Sequence, residues 1–158
     1  MTPKEVRAKW TAALRSGEYV KTRNKLHKLD PTGKYHSYCC LGVLCDLAVK
    51  EGIIPPAVEK NSPYIFGYKD DTLDGHSFSS IRDNDVPQKV RTWSGLCDST
   101  GAFSPIEEFK GVKFKSGSAS LNNLAQINDH TDLTFSDLAD FIESEPKGLI
   151  CDSETSTS

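Results

Sequence analysis

The first sixteen residues place apolar side chains at helical spacing. Val6, Trp10, Ala13 and Leu14 share one face, Thr2 stands where an N-cap belongs, Pro3 takes the first helical position and Glu5 completes a capping box. Gly17 supplies a stop, so the pattern predicts a helix over about 3–16. From Glu18 the period falls to two. Tyr19, Lys21, Arg23 and Lys25 alternate with Val20, Thr22, Asn24 and Leu26, which predicts an extended strand with one basic face. Asp30-Pro31-Thr32-Gly33 is a turn signal with Pro at its second position and Gly at its fourth, and Lys34–Tyr38 reads as the returning strand of a hairpin.

The stretch from Cys39 to Val49 is apolar around nearly its whole circumference, with Asp46 its one charge. Such a helix is buried on most sides. Gly52 and Pro55-Pro56 end it, which predicts a central helix over about 39–51. Gly42 inside that helix costs roughly 1 kcal/mol relative to Ala. Its presence implies a second backbone in close approach, expected from the first or the last helix. Residues 53–117 are weakly patterned: Tyr64–Tyr68 as a short strand, Val86–Trp93 as a short helix with Pro87 in its first turn, Gly111–Lys115 as an edge strand. Long loops of Asp, Ser and Gly join them, of a kind more often functional than idle.

Regularity returns near the end. Leu121, Leu124 and Ala125 predict a short helix over 118–126 that stops at Ile127-Asn128-Asp129. Thr134 then caps a last helix with Asp137 at its third position, Leu133 and Leu138 staple its start, and Phe135, Leu138, Ala139 and Ile142 form its buried stripe. The expected fold is α+β: three to four helices around the buried central helix, with a basic hairpin and a small antiparallel sheet. At 158 residues one domain suffices, expected over 1–146, with 147–158 a disordered polar tail.

Composition narrows the class. Hydrophobic residues are 37% and charged residues 26%, which fits a globular chain. No apolar run approaches the roughly 18 residues of a membrane span, and the N-terminus lacks the apolar core of a secretory leader. A cytoplasmic protein whose five cysteines are reduced thiols is therefore expected. The net charge of −3 conceals an asymmetry: residues 1–50 carry ten Lys/Arg against four Asp/Glu, and the remainder nine against eighteen. The basic excess centres on Lys21, Arg23, Lys25, Lys28 and Lys34, with His27 and His36 close by, and predicts a local anion site. An isoelectric point near 5.8 argues against a duplex-DNA binder.

Candidate chemistry is sparse. His36, Cys39, Cys40 and Cys45 lack the paired spacing of a zinc site, so neither metal nor cofactor is expected. Cys39 or Cys40 at a helix N-terminus would gain thiolate character, with His76 or His130 as base and Asn128 or Asp129 to orient it. The alternative is that these small, soft side chains fill a core. Asn128-Asp129-His130 either caps the last helix or binds a ligand. Phosphate-loop, metalloprotease, nucleophile-elbow and kinase signatures do not occur.

Three segments taken together are distinctive: Trp10-Thr11-Ala12-Ala13-Leu14-Arg15-Ser16-Gly17-Glu18-Tyr19, then Tyr38-Cys39-Cys40-Leu41-Gly42-Val43-Leu44-Cys45-Asp46-Leu47-Ala48, then Ile127-Asn128-Asp129 with the helix Phe135–Glu143. Their order resembles a family of small uncharacterised proteins common in tailed-phage genomes, over both ends and about half of the chain. Ile127 stands where that family more often carries Leu. A more distant likeness joins it to short bacterial proteins with a C-x-L-G-A-L helix followed by W-N-D. The resemblance implies a small non-structural phage product working in the host cytoplasm, of a class that acts on host defence or metabolism by binding. The expectation is thus a non-enzymatic protein that captures an anionic small molecule, such as a nucleotide-derived immune signal, through Lys21, Arg23, Lys25, His36, Asn128 and Asp129. A cysteine-dependent enzyme is the first alternative. An inhibitor that masks a host protein through the acidic second part is the other. The oligomeric state stays open, a homo-oligomer included.

Overall fold

Thr2 caps the first helix as its spacing requires: its hydroxyl oxygen accepts the Glu5 amide, and α1 runs Pro3–Arg15. The computed structural model describes residues 1–70 and 80–151. After α1 come β1 (His27–Leu29), β2 (His36–Tyr38), α2 (Cys40–Lys50), β3 (Val58–Glu59), β4 (Ile65–Lys69) and β5 (Ile81–Arg82). There follow α3 (Gln88–Ser94), β6 (Glu108–Phe109), β7 (Val112–Lys113), β8 (Lys115–Ser116), β9 (Ala119–Ser120), α4 (Leu124–His130) and α5 (Phe135–Glu143). The fold is α+β, and no helix among the described residues is long and apolar enough to cross a membrane.

α2 lies at the centre. Cys40 to Cys45, Leu47 and Ala48 are all buried, and α1, α3, α4 and β2 pack around it. Trp10 of α1 is fully buried and donates its indole N–H to the Cys40 carbonyl at 2.9 Å. The outer flank of α1 meets the end of the chain: Arg15 pairs with Asp140 and Glu143 of α5, and Arg7 donates to the Ser94 carbonyl and to Glu145. α5 has the expected capping box between Thr134 and Asp137, and its buried stripe also takes in Phe141.

The hairpin forms where expected, with β1 and β2 antiparallel around Asp30-Pro31-Thr32-Gly33. The Asp30 carboxylate organises the turn, accepting from the Thr32 hydroxyl and from the amides of Lys34 and Tyr35; these bonds hold its carboxyl below the usual range. β1 also pairs with β4, β4 with β3 and with β5, all antiparallel, giving the order β2-β1-β4-β3 with β5 against β4 beyond the end of β1.

Four expectations need correction. The basic alternation at 19–25 is not a strand: residues 20–22 touch the edge of β2 through Thr22 and Val20, then Asn24 turns left-handed at φ 71°. The backbone close to Gly42 belongs to Leu26, just before β1, and not to another helix. The helix expected over 118–126 starts at Leu124, because β8 and β9 occupy 115–120 and Asn123 is the N-cap; it then runs through Ile127-Asn128-Asp129 instead of stopping there. Finally, residues 147–151 are not a loose tail. Leu149 is fully buried, the Cys97 amide donates to Leu149, the Cys151 amide donates to Gly95, and Cys97 and Cys151 are joined as a disulfide. Two of the five thiols expected to be reduced are therefore paired. The ordered unit extends at least to 151, and 152–158 lie outside the described residues.

Candidate functional site

The expected ligand residues fall into three groups. Lys21, Arg23, Asn128 and Asp129 come together where α4 ends. Asn128 is fully buried within α4 and spans three elements: its carboxamide oxygen accepts the Cys40 amide at 3.1 Å, and its nitrogen donates to the Thr22 carbonyl and to Asp129 Oδ1. Asp129 Oδ1 in turn accepts the Asn24 amide at 2.8 Å. Lys21 Nζ donates to the Asn128 carbonyl and Arg23 to the Thr131 carbonyl, so both cations serve open carbonyls at a helix C-terminus. Burial, with Arg23 close by, lowers the Lys21 ammonium pKa.

These bonds make Asn128 and Asp129 a fastening and explain its composition. A carboxamide suits this place because its oxygen accepts from one backbone while its separate NH2 group donates to another and to Asp129. Replacing Asn128 with Ala is expected to cost about 2–3 kcal/mol, because it strands a buried amide at the start of α2 and the Thr22 carbonyl. Urea titration followed by circular dichroism measures this, and an unchanged midpoint would show that the fastening is idle.

Lys25 stands apart. It pairs with Asp83 at 2.9 Å, and Lys60 shares that carboxylate. Burial opposes the Asp83 charge, but the two ammonium groups hold its carboxyl below the usual range. Arg23 lies 3.4 Å from Asp132, whose side chain is fully solvent-facing, so that pair is weak. Lys28 and Lys34 make no salt bridge among the described residues, and Lys21 makes none either, although Asp129 lies near it.

His36 belongs to a third place, one that sequence reading missed. Facing residues of β1, β2 and β4 put Tyr38, His27 and Phe66 in one row, and the His27 ring lies against both neighbours at 4.4 and 4.8 Å between centroids. His27 Nε2 is 2.8 Å from His36 Nδ1, and His27 Nδ1 is 3.2 Å from the buried Tyr68 hydroxyl. Burial, and then the nearby His36, push the His27 imidazole down to about 4, so it is neutral at pH 7. The hint in the sequence was there: His27, His36, Tyr38, Phe66 and Tyr68 all sit at one parity of adjacent strands, once the register is known.

The three free cysteines are buried. Cys39 caps α2, its sulfur accepting the Gly42 amide at 3.4 Å, and burial pushes its thiol up to about 12. Burial raises Cys40 and Cys45 further above the ordinary range. No hydrogen bond joins Cys39 or Cys40 to a histidine among the described residues; His130 is exposed at the end of α4. His76 lies outside the described residues. No group of three metal-ligating side chains occurs among the described residues.

Clefts lie elsewhere. One of about 340 Å³ is lined by Pro3, Gln88, Arg91 and the Cys97–Cys151 bond, and another of about 410 Å³ by Ile106, Phe114 and Asn122. Neither is lined by any of the expected ligand residues. A family model described as a domain of unknown function (DUF8296) matches residues 1–146. None of the curated proteins and none of the solved structures matches the chain.

Proposed function

The chain belongs to the DUF8296 family, a domain of unknown function, and from that premise we propose that it is a non-enzymatic accessory protein that binds an anionic small ligand. The observation that carries this reading is the uncompensated charge of the basic segment. Lys28 and Lys34 make no salt bridge among the described residues, Lys21 has Asp129 nearby but donates to a carbonyl, and Arg23 has only a solvent-facing carboxylate at long range. An anion bound at the end of α4 beside Arg23, or at the hairpin beside Lys34, replaces water on cations that the fold leaves without a close carboxylate. The burial of Cys39 and Cys40 counts against the cysteine-enzyme alternative, because a thiol held neutral and out of solvent is a poor nucleophile. The resemblance to tailed-phage proteins supplies the context: a phage product in the host cytoplasm that sequesters a nucleotide-derived immune signal.

Calorimetric titration with ATP tests the reading. Binding should be saturable, weaken as salt is raised, and weaken by roughly 1–2 kcal/mol when Arg23 or Lys34 is replaced by Ala. Melting should stay nearly unchanged, since both side chains are exposed. Binding that is absent, or equal in parent and variants, would overturn the proposal.

A further inference from the structure

The outer end of the aromatic row offers more than charge. Its inner end is closed, since Tyr68 is buried and Tyr19 lies edge-on to Tyr38 at 5.2 Å. Its outer end is open. His36 is exposed, Phe66 is half-buried with its ring 5.9 Å from that of His36, and Tyr64, one residue before β4, is 45% exposed. The Tyr64 carbonyl accepts the Leu29 amide, and Leu29 faces His36 across the hairpin, so these residues share one end of the sheet.

Proton counting fixes what His36 presents outward. A neutral His27 carries a single N–H. If Tyr68 donates to His27 Nδ1 and His27 Nε2–H donates to His36 Nδ1, every buried proton in the chain has an acceptor. The opposite arrangement leaves the buried Tyr68 hydroxyl proton without an acceptor in this network, at the cost of an unmade bond. The relay therefore sets His36 as the tautomer with Nε2–H facing solvent. Beside it, two residues earlier, stands the exposed Lys34. Asp30, the nearest carboxylate in sequence, is engaged by its own turn. Glu59 of β3 is the direct cross-strand neighbour of Phe66, so its carboxylate borders the ring on the side away from His36 and favours a phosphate held at the Lys34 side.

An open ring surface, a fixed N–H donor at its rim and an unpaired ammonium match a flat heteroaromatic group that carries an anion. We propose that the end of the sheet formed by His36, Phe66 and Tyr64 is a stacking platform for the base of a free nucleotide, with Lys34 positioned for its phosphate. Stacking on protein rings tolerates any base and changes affinity by roughly 5- to 150-fold for each, which is enough to register. This deepens the anion-binding reading and rests on it, because it adds the base to the charge.

The test separates the two. AMP, GMP, CMP and UMP are titrated against ribose 5-phosphate, which keeps the anion and lacks the base. The expected result is that at least one nucleotide binds about tenfold more tightly than ribose 5-phosphate, and that His36→Ala and Tyr64→Ala each remove most of that difference. Tyr64→Phe keeps the ring and should keep the affinity, and Tyr64→Ala remains informative even if the loss of His36 disturbs the relay and the fold. Equal binding of nucleotides and ribose 5-phosphate would overturn the platform and leave the anion site standing. No binding of either would overturn both. A thymidine oligonucleotide that binds more tightly than every mononucleotide would replace the free nucleotide with a single strand, and so would also overturn the proposal.

Discussion

Gly42→Ala is expected to cost about 4 kcal/mol or more, above the 1–3 kcal/mol typical of overpacking. Taken alone, the change should help: Ala is better than Gly inside a helix by about 1 kcal/mol. A Cβ built at position 42, however, would lie 1.8 Å from the Leu26 carbonyl oxygen and 2.7 Å from its carbon. Neither is the end of a flexible side chain. The Leu26 carbonyl accepts the Cys39 amide at the start of α2, and the Leu26 amide donates to Asp83. To admit the methyl group the strand must move off the helix and give up the first bond, and it then drags on the second. Urea titration of parent and variant measures the loss, and a melting temperature at or above the parent's would refute the close approach. The larger Gly42→Leu should be no better tolerated.

Loss of the Cys97–Cys151 bond is expected to cost about 4 kcal/mol by the chain-entropy account, since its partners are 54 residues apart in sequence. The effect acts on the unfolded chain. Within the folded protein, Leu149 remains buried and the Cys97–Leu149 and Cys151–Gly95 backbone bonds still hold the segment. The prediction is accordingly a lower denaturation midpoint in dithiothreitol, matched by Cys151→Ser without reductant, with nucleotide titrations unchanged. The three remaining cysteines are buried and unpaired, so they do not confound the measurement. Coincident midpoints with and without reductant would mean that the bond contributes nothing.

The same residues show where reading the sequence succeeds. Caps, stops and helical periodicity are local, and they located α1, α2, α5 and the Asp30–Gly33 turn almost to the residue. Alternation misled at 19–25, because a period of two is equally well produced by an irregular segment whose cations reach in different directions. Lys21 and Arg23 go to α4 carbonyls and Lys25 to Asp83, and each of those destinations lies at least 58 residues away in sequence. Gly42 was recognised as a close-packing position, but its neighbour was not, since sequence carries no record of which backbone arrives. The disulfide was missed for a similar reason: the spacing of Cys97 and Cys151 resembles no motif, and the Leu96–Ile150 pairing that aligns them is long-range. Of the six residues expected to bind a ligand, Lys21, Arg23, Asn128 and Asp129 lie together, Lys25 and His36 lie apart from them, and Asn128 and Asp129 fasten the fold. The histidine–aromatic row needed the strand register before it became visible.

The position of α1 has a consequence for how the protein is made. During synthesis α1 emerges well before its salt-bridge partners in α5 and Glu145 just beyond, the nearest of which follows 125 residues later. Trp10 can meet the Cys40 carbonyl early and Arg7 the Ser94 carbonyl midway, but Arg15 has no α5 carboxylate to pair with until Asp140 and Glu143 have emerged. Folding during synthesis therefore passes through a stage in which α1 is held to α2 while the side that packs on α5 is still open, and that side is the surface a chaperone at the tunnel exit would meet.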